Sequence, residues 1–238
     1  MKNLKILALT LGIAATGFAA KAQTTDEVVN KYVKAMGGAD KLKAAKTQYT
    51  EGVMSMGNME IPIKRWVVQD KAMRLEFSVN GTNNVQVITK DSGWAQMPVQ
   101  QQPEAKPLDK KMVGMMQSQL DISGELFNYK AKGKKIEFLG KEAVDGVDMY
   151  KLKVINSNGT DGIAYINASN NYIVKTVNKI NMQGADVELV TLLSDYKTTP
   201  DGYAYPAATA QTPSGIRISI NKVEMNKPMA DSIFAMPH

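Results

Sequence analysis

Apolar and polar residues alternate along this chain in short runs that are separated by turn residues. From position 48 to position 97 several such runs follow one another, with breaks at Gly57-Asn58, Asp70-Lys71 and Asn80-Gly81. A period of two is typical of a strand with one buried side and one solvent-facing side. Asn-Gly is a strong hairpin signal, because both residues tolerate a positive φ. The clearest run has apolar residues at every second position: Met73, Leu75, Phe77 and Val79.

The second half of the chain repeats this pattern, with turns at Asp145-Gly146 and Asn158-Gly159. Together the runs predict about eleven strands, spaced as in antiparallel architectures. Neither a glycine-rich phosphate loop nor a strand-helix-strand rhythm accompanies them, so a parallel sheet is not expected. We predict that three apolar triplets face helices from one side of the sheet. The alternative is a β-sandwich, in which they would face a second sheet. The triplets are Met73, Leu75 and Phe77; Tyr150, Leu152 and Val154; and Ile216, Ile218 and Ile220.

Two segments have a helical pattern instead. The first begins at Thr24, which has capping-box spacing to Glu27, and ends at Gly37-Gly38, with a further short turn over 40–45. The second covers 110–120 and follows a Gln- and Pro-rich segment, 98–109, that we predict to be a loop. Short helices are unstable alone, so their apolar faces must cover the sheet. The predicted fold is mainly β (α+β), a strongly curved antiparallel sheet wrapped around helices.

The first 22 residues have the features of a cleaved export signal. Lys2 and Lys5 precede an uncharged apolar run, and Ala20-Lys21-Ala22 matches the small-x-small cleavage pattern. A membrane anchor is the alternative, but the run of about 15 residues is shorter than the roughly 20 that a span needs. We therefore predict a signal peptide over 1–22, a single domain over 23–238, and a soluble protein in the periplasm.

Charge and cysteine content exclude several classes of function. The chain has 29 basic and 23 acidic residues, a net charge of +6, and loss of Lys2, Lys5 and Lys21 with the signal leaves 26 − 23 = +3. That charge is too small to indicate a nucleic-acid partner. The chain has no cysteine, so disulfides do not hold the fold, and none is available for lipid attachment after the signal.

The chain also lacks the residues of the common catalytic sites. Its one histidine is the last residue, His238, which argues against His-based metal sites and Ser-His catalysis. No nucleophile elbow, dinucleotide fingerprint or phosphate loop is present. Glu76, Asp145 and Asp148 could act as an acid and a base, but turns and a solvated face explain them better. We predict that the protein is not an enzyme and needs no cofactor or metal.

Several turns and their flanking residues resemble one family. Taken in order, they are similar to the periplasmic outer-membrane lipoprotein-sorting proteins of the LolA/LolB-like superfamily, in the form common in Bacteroidetes. The likeness covers nearly all of the predicted mature chain. The residues that carry it are Met73-Arg74-Leu75-Glu76; Asp91-x-Gly93-Trp94 with Pro98; Val144-Asp145-Gly146 with Tyr150 and Leu152; Ser194-Asp195-Tyr196-Lys197; Asp201-Gly202 with Pro206; and Asp231-Ser232-x-Phe234.

The resemblance implies an open half β-barrel whose helices pack on the concave side as a lid. It also implies a carrier without a catalytic site, a monomer that holds lipid or lipoprotein acyl chains in an apolar cavity. Its partners would be lipoprotein-handling proteins of the inner or outer membrane. The residues expected to bind the ligand in the cavity and lid are Met54, Met56, Met73, Leu75, Phe77, Trp94, Met112, Met115, Met116, Leu120, Leu152 and Ile218.

Two interpretations remain open. In the first, the concave face is an apolar site for acyl chains, and the methionine-rich segment 110–120 is a movable lid. Gly114 and the short length lower the stability of this segment, and methionine packs adaptably. In the second, the protein is a non-catalytic envelope protein whose concave face is filled by its own helices. An apolar cavity of several hundred Å³ between helices and sheet would favour the first.

Overall fold

The computed structural model describes residues 24–182 and 185–237; the predicted signal at 1–22 and His238 lie outside them. Three short α-helices and three 3-10 turns occur in this part of the chain. The helices are α1 (Thr25–Ala35), α2 (Ala39–Ala44) and α3 (Lys110–Met116), and the 3-10 turns are Pro98–Gln100, Gln117–Leu120 and Asp231–Phe234.

The strands described by the structure form one open antiparallel sheet, so the β-sandwich alternative is wrong. Their order is β6-β5-β4-β3-β2-β1-β13-β12-β11-β10-β9-β8-β7, which leaves β6 and β7 at the two edges. The thirteen strands are β1 (Thr47–Met56), β2 (Met59–Val68), β3 (Ala72–Val79), β4 (Thr82–Thr89), β5 (Gly93–Met97), β6 (Gln102–Pro107), β7 (Lys135–Val144), β8 (Val147–Ile155), β9 (Asp161–Asn167), β10 (Ile173–Met182), β11 (Ala185–Thr198), β12 (Ala204–Thr212) and β13 (Arg217–Met225).

The predicted count of about eleven strands is too low, because β6 and β12 have weak sequence signals. β6 lies inside the predicted loop and contains two prolines; it is tolerated as a strand because it pairs on one side only, at the sheet edge. β12 is mostly Ala and Thr and contains Pro206, so it shows no apolar alternation. Pairing with β11 and β13 on both sides makes it a strand.

The turn and helix signals that the sequence gives are confirmed. Asn80-Gly81 has φ values of 49° and 78°, both in the left-handed region that a tight hairpin requires. The Thr24 hydroxyl accepts from the Glu27 amide at 3.2 Å, and the Glu27 carboxylate accepts from the Thr24 amide at 3.0 Å. Gly37 ends α1 with φ 119°, and a Cβ there would lie 2.6 Å from the carbonyl oxygen of Gly202.

The helices contact one face of the sheet, which we call the inner face; the opposite one is the outer face. α1 and α2 form a cluster with β7, β8 and β9 that includes Tyr150, Leu152 and Val154. The 3-10 turn 117–120 forms a second cluster with β2, β3 and β4, to which Met73 and Leu75 belong. Cross-strand pairing puts Ile218 and Ile220 on the same face, whereas Ile216 precedes β13.

The buried and exposed leucines of the sheet give a direct test of this assignment. Leu152 is fully buried under α1 and α2, so we expect Leu152→Ala to lower the free energy of unfolding by about 2–5 kcal/mol. Leu192 is 50% exposed, and the matched Leu192→Ala should change it by about 0.5 kcal/mol or less. Urea unfolding of both variants measures the difference, and equal effects would contradict the assignment of the two faces.

Candidate functional site

The inner face has a covered half and an uncovered half. In the covered half, helices and sheet pack closely. The cavity between them has a volume of about 60 Å³, and Met36, Leu42, Ile122 and Met225 are among its lining residues. Ligand pockets usually have several hundred Å³. This half of the inner face is therefore filled by the protein's own side chains.

In the uncovered half lies a row of six apolar side chains, which we call the apolar strip. Within the described chain, none of the six belongs to the clusters that the helices form with the sheet. Ile61 is buried and the other five are half-buried. Register joins them into one surface, since each side chain is a direct or near cross-strand neighbour of the next. The strip consists of Met54, Ile61, Ile63, Phe77, Ile218 and Ile220.

The strip ends at a methionine rim. Met56 and Met59 face each other across the β1–β2 turn, and their side chains are 41% and 45% exposed. Four of the twelve residues expected to bind ligand are thus brought together, namely Met54, Phe77 and Ile218 in the strip and Met56 at its rim.

Five other expected ligand-binding residues lie under the helical cover. Met73 and Leu120 are buried in the cluster of β2–β4, with Leu75 and Met116 packed against them. Leu152 is buried in the cluster under α1. These five share the inner face with the strip but touch protein side chains there, so a ligand could reach them only after the cover moves.

The second helical segment presents different residues from those the periodicity predicts. Met112, Met116 and Leu120 were expected to line the cavity from this segment, but Val113 is buried in it and Met112 is 38% exposed. α3 ends at Met116 and continues as the 3-10 turn 117–120, and the side chains that pack towards the sheet are the buried Val113 and Leu120 and the half-buried Met116. Met115, at 66% exposure, points to solvent.

Trp94 lies on the outer face, away from every other expected ligand-binding residue. It packs with Ala72, Val87 and Phe234, and its indole Nε1 donates to the carbonyl oxygen of Phe234 at 2.9 Å. Trp94 was expected on the cavity side as an aromatic lining residue. In the structure it anchors the C-terminal 3-10 turn.

Three strip residues were not among the twelve expected to bind the ligand, namely Ile61, Ile63 and Ile220, although Ile220 was expected on the inner face. Ile61 and Ile63 alternate with Glu60, Pro62 and Lys64, so a period-two signal was present. Their pairing with Met54 and Phe77 could not be known before the register was known.

The acidic residues considered as an acid–base pair have structural roles. Glu76 pairs with Arg74 at 2.6 Å on the outer face, and Asp148 pairs with Lys141. Asp145 has φ 50° in a turn. Within residues 24–182 and 185–237, no group of three His, Cys, Asp or Glu side chains could hold a metal ion.

A polar cleft of about 730 Å³ lies beside the cover, between α3 with its 3-10 turn and the β8–β9 turn. Asp121 is at its wall and accepts hydrogen bonds from Lys132 Nζ at 2.7 Å, Ser123 Oγ at 2.6 Å and Gln69 Nε2 at 3.0 Å. Since Gln69 follows β2, these bonds tie the segment after the 3-10 turn to the sheet. Burial alone would raise the pKa of Asp121, but the hydrogen bonds from Lys132, Ser123 and Gln69 outweigh it and lower that pKa.

The lowered pKa predicts how stability depends on pH. A carboxyl whose pKa is lower in the folded state stabilises the protein above its unfolded pKa of about 3.9, and this contribution is lost as the pH falls through the folded pKa. We expect Asp121→Asn to cost about 1–3 kcal/mol at pH 7, and this cost should shrink below about pH 4. Urea unfolding of both proteins from pH 7 to pH 3 measures it. A cost that stays constant over this range would contradict the assigned role of Asp121.

Comparison with known proteins gives similarity at the level of structure. No protein-family model and no curated protein sequence matches the chain. A DUF1329 family protein from Desulfovibrio piger superposes with a TM-score of 0.64 at 13% identity, covering 90% of this chain and 98% of that one. A LolA superfamily protein from Nitrosomonas europaea gives a TM-score of 0.57 at 12% identity, with the same coverage.

A proposed outer membrane lipoprotein-sorting protein domain from Vibrio parahaemolyticus gives a TM-score of 0.52 at 14% identity, covering 87% of this chain and 97% of that one. The narrower likeness to the form common in Bacteroidetes stays a prediction. At these identities the likeness is one of fold, and it extends over nearly the whole of each chain. The resemblance inferred from the sequence is thus confirmed structurally: the chain has the fold of LolA superfamily and DUF1329 proteins.

Proposed function

We propose that the protein is a periplasmic carrier that holds the acyl chains of a lipid or lipoprotein against the apolar strip. The observation that carries this proposal is the strip itself, a continuous set of apolar side chains on the face where the helices pack, yet outside the clusters they form. The Vibrio protein is described as a lipoprotein-sorting domain, which supports the same class of ligand. For the present chain, the export signal at 1–22 and the resulting location in the periplasm remain predictions.

We infer that the sheet curves around the helices as a half-barrel. At one end of α1, Thr25 Oγ1 accepts from the Phe138 amide of β7 at 3.1 Å. Just beyond its other end, the Met36 carbonyl accepts from the Ala204 amide of β12 at 3.2 Å. Five strand spacings separate β7 from β12, about 24 Å in a flat sheet, whereas eleven helical residues span only about 16 Å. A curved sheet brings both strands within reach, and the inner face becomes concave.

A concave apolar face suits an acyl chain energetically. Each methylene group moved from water to an apolar surface contributes about 0.8 kcal/mol. About eight buried methylene groups therefore supply roughly 6 kcal/mol before the cost of association is subtracted. The ligand gains from contact with side chains of different shapes, which methionine accommodates well.

Further parts of this proposal concern what the protein does not do. We propose that it is a monomeric, non-catalytic protein without cofactor or nucleic-acid partner. Several of its surface lysines form ion pairs with carboxylates, which reduces the positive charge available to a nucleic acid. Lipoprotein-handling proteins of the inner or outer membrane would be its partners. No helix in the described ranges is long and apolar enough to cross a membrane.

The second candidate function is an envelope interaction protein with a self-filled core. The small volume of about 60 Å³ under the helices favours it, since that half of the inner face offers no room for a ligand. The two candidates differ in what the uncovered half does. A carrier binds lipid at the apolar strip, whereas an interaction protein does not.

Lipid binding by strip variants separates these candidates. We expect native mass spectrometry of the exported protein to show co-purified lipid, because acyl chains cover the strip. The double change Met54→Gln and Ile218→Thr should reduce the lipid-bound fraction several-fold by making the strip polar. Ile163→Thr is the matched control, because Ile163 is half-buried on the outer face opposite Lys153. Lipid-free wild-type protein, or equal loss in the control, would favour the interaction protein.

The cover over the inner face supplies a second test. α3 has only seven residues, with Gly114 in its middle and Val113 as its buried side chain, so it is held weakly. If it is a lid, its opening uncovers Met73 and lengthens the apolar surface. We expect the amides of 112–116 to exchange with deuterium faster than those of β2 and β3, and to be protected when lipid binds. Protection equal to the strands and unchanged by lipid would leave a fixed core helix.

A further inference from the structure

A guanidinium without an acidic partner lies on the inner face at the border of the apolar strip. Arg65 alternates along β2 with Ile63 of the strip and with Val67 of the covered cluster. Its direct cross-strand neighbours are Leu75 and Thr50, which are uncharged. Arg65 therefore stands where the uncovered half of the inner face meets the helical cover.

The contacts of Arg65 leave most of its donors available. One Nη donates to the carbonyl oxygen of Gln119 at 2.6 Å and the other to Gln48 Oε1 at 3.3 Å. A guanidinium has five N–H donors, so three remain. Over residues 24–182 and 185–237, no carboxylate lies within 4.0 Å of it.

Arg74, another arginine of the same sheet, has the kinds of partner that Arg65 lacks. On the outer face, Arg74 pairs with Glu76 at 2.6 Å, donates to the Ile233 carbonyl at 2.7 Å and stacks over Trp94. Among the described residues, Arg65 has neither an acid nor an aromatic ring among its contacts, although it is half-buried as Arg74 is. Desolvation lowers the pKa of the Arg65 guanidinium to about 10, so the group stays charged at neutral pH with an uncompensated cost.

We propose that Arg65 binds the carboxylate of a fatty-acid-type amphiphile whose chain lies along the apolar strip. A carboxylate accepts two parallel hydrogen bonds from a guanidinium and supplies the missing negative charge. From Arg65 through Ile63 to Ile61 the strand extends about 13 Å, and the strip widens on both sides to Phe77 and Ile218. The head thus sits at the cover and the chain runs towards the Met56 and Met59 rim. This inference rests on the proposed function and adds the chemistry of the head group.

The experiment compares two ligands that differ only in the head. Binding of decanoate and of decanol is measured by isothermal titration calorimetry at pH 8 for the wild type, Arg65→Gln, Arg65→Lys and Lys64→Gln. We expect the wild type to bind decanoate about tenfold more tightly than decanol, a difference of about 1.4 kcal/mol, because only the carboxylate forms charge-assisted hydrogen bonds with Arg65. Arg65→Gln should lose this preference while its affinity for decanol is unchanged. Arg65→Lys should keep part of it. Lys64→Gln removes a charge from the outer face of the same strand and should behave as the wild type does.

Other results would contradict either the role of Arg65 or the proposed function. Equal affinities of the wild type for both ligands would overturn the role of Arg65 and leave the carrier proposal standing. So would an Arg65→Gln variant that weakens both ligands equally, because that result indicates a structural role through Gln119. If the wild type binds neither ligand, the proposed function fails together with this inference. The comparison within the wild type stands even if Arg65→Gln does not fold.

Discussion

The structure depends on a mismatch between a long sheet and a short helical cover. Thirteen strands in one open sheet present a wide inner face, whereas α1, α2 and α3 together have only 24 residues, from 11, 6 and 7. The cover therefore buries the inner face over β7–β9 and over one end of β2–β4. Within the described residues, the inner-face apolar side chains that form the strip on β1, β2, β3 and β13 belong to neither cluster that the helices form with the sheet. The proposed site for an apolar ligand lies where the helical cover is absent.

Hydrogen bonds attach the helical cover to the sheet at the 3-10 turn 117–120 and at the residues that follow it. The 3-10 turn is fixed to the sheet by the Leu120 carbonyl, which accepts from the Asp70 amide at 3.0 Å, and by Arg65, which donates to Gln119. Asp121 and its hydrogen-bond donors hold the next residues. In the described part of the chain, α3 is attached by its Asp109 N-cap, by the burial of Val113 and by Met116, which packs against the cluster of β2–β4 and accepts from Gln86 Nε2 at 3.4 Å. The cover is thus firmly attached at 117–124 and weakly attached at 110–116, which places any movement in α3.

The fold could be predicted from the sequence to a large extent, because period-two alternation and Asn-Gly or Asp-Gly turns are local signals. β6 and β12 were missed because their residues have little strand preference of their own and become strands by pairing. The site was predicted less well. Met54, Phe77 and Ile218 could be placed on one face by alternation, but Trp94 also lies in an alternating strand, and only the register shows that it faces the C-terminal turn. In 110–120 the sequence pattern favoured Met112, whereas the structure buries Val113, because methionines on all sides of this short helix leave its buried face undefined.

Because Arg65 lies at only one end of the apolar strip, it defines the orientation that an amphiphile would take there. A purely apolar surface would accept an acyl chain in either orientation, and an exposed one of this kind favours association between copies. An unpaired guanidinium at one end and methionines at the other make the two ends different. An amphiphile would satisfy both at once, with its charge at Arg65 and its chain towards Met56. Hydrogen bonds to Gln119 and Gln48 offset part of the cost of desolvating this cation, but an opposite charge is supplied only by the proposed ligand, which would favour anionic ligands over neutral ones.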